Sequence, residues 1–236
     1  PAGATPLPTN SPTTITILDN EQPGDTDDEY GVAGSGFGAN GRVLALGRQS
    51  TGRIIVGGEF TTMDGTTYNR LARLQTNGLV DTGFIIGTGA NSNITAISVL
   101  SDDKIYIGGA FTNYNGSNRA GFARLNANGS VDTAFAPGTG ANALVRSVVG
   151  LTNGQVLIGG DFTDYNGTNV NRLARLNADG GFDTNFTADV SGPVHSMVVD
   201  ASGRVVIGGL FTTVNGTAVT NVARLLTNGL LDLSFT

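Results

Sequence analysis

Apolar residues come in short runs separated by turns rich in glycine and asparagine, and nowhere do they recur at helical spacing. The stretch 138–186 shows the pattern well. A Gly138-Thr139-Gly140-Ala141-Asn142 loop precedes Val145–Val149, which reads as a first strand. A Thr152-Asn153-Gly154 turn leads into Gln155–Phe162, where Val156-Leu157-Ile158 is apolar without alternation. An unbroken apolar triplet predicts a strand buried on both faces. Asn166-Gly167 then opens a third strand, Arg172–Asn177, and Asp179-Gly180 a short fourth one ending at Phe186. Asn-Gly and Asp-Gly supply the positive φ angles that tight hairpins need.

This pattern repeats. VGGEFTTMDGTT from Val56 returns as IGGAFTNYNGSN from Ile107, IGGDFTDYNGTN from Ile158 and IGGLFTTVNGTA from Ile207, at intervals of 51, 51 and 49 residues. The same intervals relate Phe60, Phe111, Phe162 and Phe211, and then Phe84, Phe135, Phe186 and Phe235. The shortening falls before Val194, where Gly192-Pro193 replaces the longer loop. Repeats therefore run over about 34–84, 85–135, 136–186 and 187–236, behind an arm of residues 1–33. Roughly fifty residues per repeat, with four short antiparallel strands buried on both faces, predict propeller-type blades. The fold class is all-β, a four-blade array with an extended N-terminal arm. A β-solenoid is the competing architecture, although its coils are usually shorter. Ala45, Ala96, Ser147 and Ser196 share one repeat position, as expected where inner strands crowd an axis. The paired glycines at Gly57-Gly58 and their equivalents mark close backbone approach or a bulge.

The consensus IGGxFTxYNGTxxxRLARLNxxGxxDTxF resembles the bacterial delta-60 repeat over residues 34–236. That resemblance implies a propeller-like fold in a large secreted or surface protein, and it implies no common activity. Thr14–Glu21 resembles the closing strand of a Calx-beta domain, without the rest of that domain or its calcium ligands. Residues 22–30 resemble the end of a repeat, with Asp27 and Tyr30 in the places of Asp132 and Phe135. A stray repeat end suggests a chain cut from a longer array, or an N-terminus with its own packing. Ring closure stays open at this level.

Composition narrows the function classes. Charged residues are 14% of the chain, below the roughly 25% usual for soluble domains. The net charge is −6 and Lys104 is the one lysine, so nucleic acid is an unexpected partner. No apolar run approaches the length of a membrane-spanning helix. Absence of cysteine excludes disulfides, thiolate metal sites and cysteine nucleophiles. A chain beginning at Pro1 without a signal-like segment reads as a mature or excised piece, and its Thr, Asn and Gly richness points to a bacterial exterior.

The candidate chemistry is sparse. Arg73, Arg124, Arg175 and Arg224 repeat in step with Asp81, Asp132, Asp183 and Asp232. Active sites usually break a repeat, so these pairs are expected to be structural. Residues that vary between repeats, namely Glu59, Tyr114, Asp161, Asp164 and Tyr165, are the candidate ligand loops. Asp161, Asp164 and Asn166 offer oxygens to calcium, as do the Asp102-Asp103 pair and the cluster Asp25, Asp27, Asp28 and Glu29. None has the EF-hand pattern, and calcium is the one cofactor left open. His195, the single histidine, and Arg146 occupy a repeat position held elsewhere by Leu44 and Thr95, a candidate channel site. No nucleophile elbow, glycosidase carboxylate pair or phosphate loop accompanies them, so no catalytic residue is assigned. Asn93, Asn115, Asn128, Asn166, Asn185 and Asn215 read formally as glycosylation acceptors, but turn chemistry accounts for most of them. Residues 1–12 have a linker composition, and Thr13, Thr14, Ile15, Thr16, Ile17 and Leu18 alternate as a strand that could add to a sheet edge. Expected partners are copies of the chain or neighbouring domains of one surface protein. The resulting reading is an extracellular assembly module. Its alternatives are an adhesin-type propeller binding glycans or proteins, and an enzyme with a channel site.

Overall fold

The computed structural model describes residues 38–235, in which all regular structure is β. The arm strand Thr13–Leu18 and the acidic cluster at 25–29 lie outside the described residues. Each repeat forms one antiparallel three-stranded sheet in sequential order. The first strands are Val43–Arg48, Ile94–Val99, Val145–Gly150 and Val194–Val199. The second strands are Ile54–Gly58, Ile105–Gly109, Val156–Gly160 and Val205–Gly209. The third strands are Leu71–Leu74, Phe122–Leu125, Leu173–Leu176 and Val222–Leu225. Between the second and third strands stands a hairpin of two-residue strands, such as Asp164–Tyr165 with Thr168–Asn169. Its turn residues Asn166 and Gly167 have φ of 51° and 77°, the left-handed pair that Asn-Gly adopts at low cost.

The fourth strand expected in each repeat shrinks to one isolated bridge, such as Leu176↔Phe182. The reason is local. Just beyond the bridge, Asp183 turns its own chain by accepting the Asn185 amide on Oδ1 at 2.9 Å. A chain folded back at that aspartate cannot extend as a strand.

Packing runs between repeats. First strands of consecutive repeats lie against one another, and among the described residues no comparable packing joins the first repeat to the last. The buried apolar residues fall into three clusters, each shared by two consecutive blades. The second shows why: Tyr106, Phe122 and Phe135 meet with ring centroids 5.3–5.6 Å apart, covered by Val145, Val148 and Val156 of the next blade. A sheet with two apolar faces is buried only by sheets on either side.

The repeated Gly-Gly pair serves two contacts. The first glycine makes room for the next blade. A methyl at Gly57 would stand 2.8 Å from Ile94 Cγ2, at Gly108 2.7 Å from Val148 Cγ2, and at Gly159 2.8 Å from Val194 Cγ1. The small residues of the first strand pair with these glycines, Ala45 with Gly57 and Ser147 with Gly159. The second glycine admits a bulge in the first strand. A methyl at Gly160 would lie 2.1 Å from the Leu144 carbonyl oxygen, a clash with backbone that no rotamer relieves.

Gly160→Ala is therefore expected to destabilise the protein by about 3 kcal/mol, measured by urea denaturation. Gly167→Ala meets nothing within 4 Å and carries only the left-handed backbone cost, roughly 1–2 kcal/mol.

Candidate functional site

The repeated arginine and aspartate form one lock per blade. Arg73, Arg124, Arg175 and Arg224 donate from Nε to Oδ2 of Asp81, Asp132, Asp183 and Asp232 at 2.9, 2.8, 2.7 and 2.7 Å. Each guanidinium lies 4.6–4.8 Å from the ring centre of Phe84, Phe135, Phe186 or Phe235. Three of them also reach the neighbouring blade: Nη1 of Arg73, Arg124 and Arg175 donates to the carbonyls of Ala127, Ala178 and Thr227 at 2.8, 2.7 and 2.6 Å. Planar, permanently charged arginine suits a site with a carboxylate on one edge, a ring on its face and a carbonyl beyond. The aspartates gain a second partner at the start of the second strand, namely Arg53, Lys104, Gln155 and Arg204. These four follow the 51, 51 and 49 spacing and were legible in the sequence, yet their mixed chemistry hid them. Gln49, a buried polar residue of the first interface, accepts from Arg73 and donates to the carbonyls of Asp103 and Ala127.

These contacts set the charge states. Burial alone would raise the Asp132 carboxyl, but hydrogen bonds from Lys104, the Ala134 amide and Arg124 outweigh it and hold it below the usual carboxylate range. Asp183 is lowered in the same way against its burial, by the Asn185 amide, Arg175 and Gln155. Asp232 falls to about 2, held first by the Ser234 hydroxyl and amide and then by Arg224.

The sequence matches the domain of unknown function (DUF5122) beta-propeller at residues 49–84, 100–135, 151–186 and 201–235. The chain belongs to this family. Each matched segment runs from the end of a first strand to the lock phenylalanine or its neighbourhood. A search of the curated proteins finds no match. Among solved structures, the DUF5122 chain is similar to the gluconolactonase XC5397 of Xanthomonas campestris, at 12% identity and a TM-score of 0.42 over 74% of this chain and 57% of that one. It is also similar to the extracellular domain described for the one-component system BT4673 of B. thetaiotaomicron, at 13% identity and a TM-score of 0.41 over 84% of this chain. This chain spans only 25% of that one.

The residues singled out as ligand loops have other employment in the DUF5122 fold. Tyr114 and Tyr165 are fully buried, and their hydroxyls donate to the Gly129 and Gly180 carbonyls at 3.2 Å each. Burial pushes both phenols up. They are core residues, a correction to the solvent-facing role, because the second residue of the two-residue strand points inward. Buried Met63 and Val214 at the same repeat position carried that signal. Asp164 accepts the Gly167 amide at 2.9 Å and closes its hairpin turn. Glu59 takes both edges of Arg42 at 2.7 and 2.8 Å, which lowers its carboxyl, and also accepts from Asn93. Asp161 holds Arg146 in the same two-pronged manner, at 2.7 Å twice. Asp103 accepts the Ser50 amide and hydroxyl across the first blade interface, and Asp102 accepts the Lys104 amide. Among the described residues, no three acidic or histidine side chains converge as a metal site would require.

The proposed channel position is the extra residue of a bulge. Leu44, Thr95, Arg146 and His195 each interrupt the register between first and second strands, as Arg146 does between Val145 and Ser147. Thr95 uses its hydroxyl to reach the Val145 carbonyl of the next blade at 2.7 Å. Arg146 turns to Asp161, and His195 is exposed, so no hydrogen bond brings the two together. One further repeat position was missed. Asn40, Asn91, Asn142 and Ser191 each accept two successive hairpin amides, as Asn142 does from Thr163 and Asp164 at 2.9 and 3.1 Å.

The locks generate two predictions. Arg124→Met is expected to cost about 3 kcal/mol in chemical denaturation, since it leaves a buried carboxylate short of its partner and the Ala178 carbonyl without a donor. Arg224→Met, whose arginine reaches no further blade among the described residues, should cost clearly less. Aspartates held below their unfolded value stabilise the fold fully above that value, about pH 4, and lose this contribution as pH falls through the folded one. The melting temperature should be level from about pH 7 to 5 and drop between about pH 4 and 2, and Asp132→Asn should make that drop shallower.

Proposed function

We propose that this DUF5122 array is an extracellular structural module of a bacterial surface or appendage protein, acting by assembly with its neighbours. The observation that carries the reading is the distribution of what is used and unused. Charged groups of the repeat are engaged in ion pairs and turns, whereas large apolar side chains stand exposed on the first blade and on the last. Val43 and Leu46 are exposed on the first blade, and Val198 and Val222 on the last. Large exposed apolar side chains on a repeat array favour interaction with a partner. A ligand-binding role finds less support, with Tyr114 and Tyr165 inside and Glu59 and Asp161 in two-pronged pairs. A catalytic role at Arg146 and His195 finds less again. Composition supports the exterior location.

Self-association of the full chain is the test, followed by electron microscopy and small-angle scattering beside a chain lacking residues 1–20. Assemblies larger than one chain support the reading, and their loss on truncation would assign the contact to strand addition by Thr13–Leu18. Single chains at every concentration, with and without the arm, would overturn it.

A further inference from the structure

One seam between blades lacks a polar bridge that the other two carry. Between the first and second blades, the Gln49 carboxamide accepts from Arg73 Nη1 at 3.0 Å and donates to the Asp103 and Ala127 carbonyls at 3.1 and 2.9 Å. Between the second and third, the Tyr106 hydroxyl takes that place. It accepts from Arg124 Nη1 at 3.5 Å and donates to the Gly154 carbonyl at 3.4 Å. Gly154 holds the repeat position of Asp103, so two unlike side chains join the same arginine nitrogen to the same turn carbonyl. Between the third and fourth blades both positions are leucine, Leu151 for Gln49 and Leu157 for Tyr106. Arg175 Nη1 still donates to the Thr227 carbonyl at 2.6 Å. Among the described residues, no side chain bridges it to Gly203, the counterpart of Asp103 and Gly154. Gln155 is turned to its own blade, where it donates to Asn177 and Asp183 and accepts from Asn153. A cleft of about 590 Å³ opens here, lined by Arg175, Gly203 and Thr227 and walled by Val149, Leu151 and Met197. The Arg175 side chain is 15% exposed, against 8% and 9% for Arg73 and Arg124.

We propose that this cleft binds a primary carboxamide carried on a short apolar stem. The first seam is its template. The head group there accepts one hydrogen bond from a guanidinium and donates two to carbonyls, and a primary carboxamide does both through its oxygen and its NH₂. In the third seam the ligand oxygen meets Arg175 Nη1, and its NH₂ meets the Gly203 and Thr227 carbonyls. Thr227 then accepts twice, as Ala127 does from Gln49 and Arg73. A carboxylate has no donor for the two carbonyls, and a hydroxyl has one where two are needed. An ammonium would face the permanent charge of Arg175. The apolar walls suit a hydrocarbon stem, and the volume falls within the roughly 300–1,000 Å³ of small-molecule sites. A free amide and the side chain of a glutamine in a peptide share this chemistry. The site does not rest on the assembly reading, because it lies within one chain between two described blades.

The test is titration of the full chain with hexanamide, hexanoate and 1-hexanol, followed by protein-observed NMR. Hexanamide should bind saturably and shift the Arg175 Nε–H and the backbone amides around Gly203 and Thr227. Hexanoate and 1-hexanol should bind about tenfold more weakly, as expected when hydrogen bonds to a buried site go unmade. Leu151→Gln sets the chain's own carboxamide where Gln49 stands in its repeat. It should weaken hexanamide about tenfold and raise the melting temperature. Leu151→Met, of similar length without an amide, should keep most of the binding and leave the melting temperature unraised. Circular dichroism checks the fold of both variants, and the comparison of the three probes on the unaltered chain stands without them. Acetyl-glutamine N-methylamide separates the two sources: tighter binding than hexanamide assigns the site to a glutamine side chain, and weaker binding to a free amide. Equal binding of hexanamide, hexanoate and 1-hexanol would overturn the carboxamide head group, as would equal loss in Leu151→Met and Leu151→Gln. No binding by either amide up to its solubility limit would overturn the site.

Discussion

Each three-stranded sheet here has apolar residues on both faces, and only another sheet can cover them. Everything else in the protein follows from satisfying that requirement in a row. The three cores are properties of blade pairs and belong to no blade alone. At roughly 25 cal/mol per Å² of apolar surface, the burial between blades is the main source of stability, and the stack is a chain of nearest-neighbour contacts. The Gly57, Gly108 and Gly159 positions let the sheets close to that distance.

Apolar faces alone would slide. The arginine lock removes that freedom, because the guanidiniums of Arg73, Arg124 and Arg175 are held in their own blades by aspartate and phenylalanine before they reach across to a carbonyl of the next. Direction and spacing are built into it: arginine faces forward, carbonyl faces back. The chain enters each next blade at once, because the Ile85, Ala136 and Thr187 amides donate to the Asn128, Asp179 and Asn228 carbonyls of the repeats they begin. A stack joined in this way has a direction.

The same economy explains what the positions that vary between repeats hold. Glu59 and Asp161 appear where a neighbouring arginine, Arg42 or Arg146, is available to pair. The bulge position is free to vary because it stands outside the ladder, and Leu44, Thr95, Arg146 and His195 each find a separate environment there. No helix among the described residues is long and apolar enough to cross a membrane.

Much of this was readable from one dimension. The 51-residue spacing, the apolar triplets and the Asn-Gly turns determined an all-β repeat, the strand positions and the structural nature of the Arg124 and Asp132 series, since each depends on residues close in sequence or on strict recurrence. Tyr165 was misread because its exposure depends on which side of a two-residue strand faces inward, and so short a strand carries no periodicity. The fourth strand was overestimated because a turn aspartate and a strand aspartate look alike until Asp183 is seen accepting the amide of Asn185. The partners at Arg53, Lys104, Gln155 and Arg204 escaped notice because they share a location and not a chemistry. Whether a face is covered depends on residues about fifty positions away. Only the tertiary structure could show Val145 buried and Val43 open, although the two occupy the same place in the repeat.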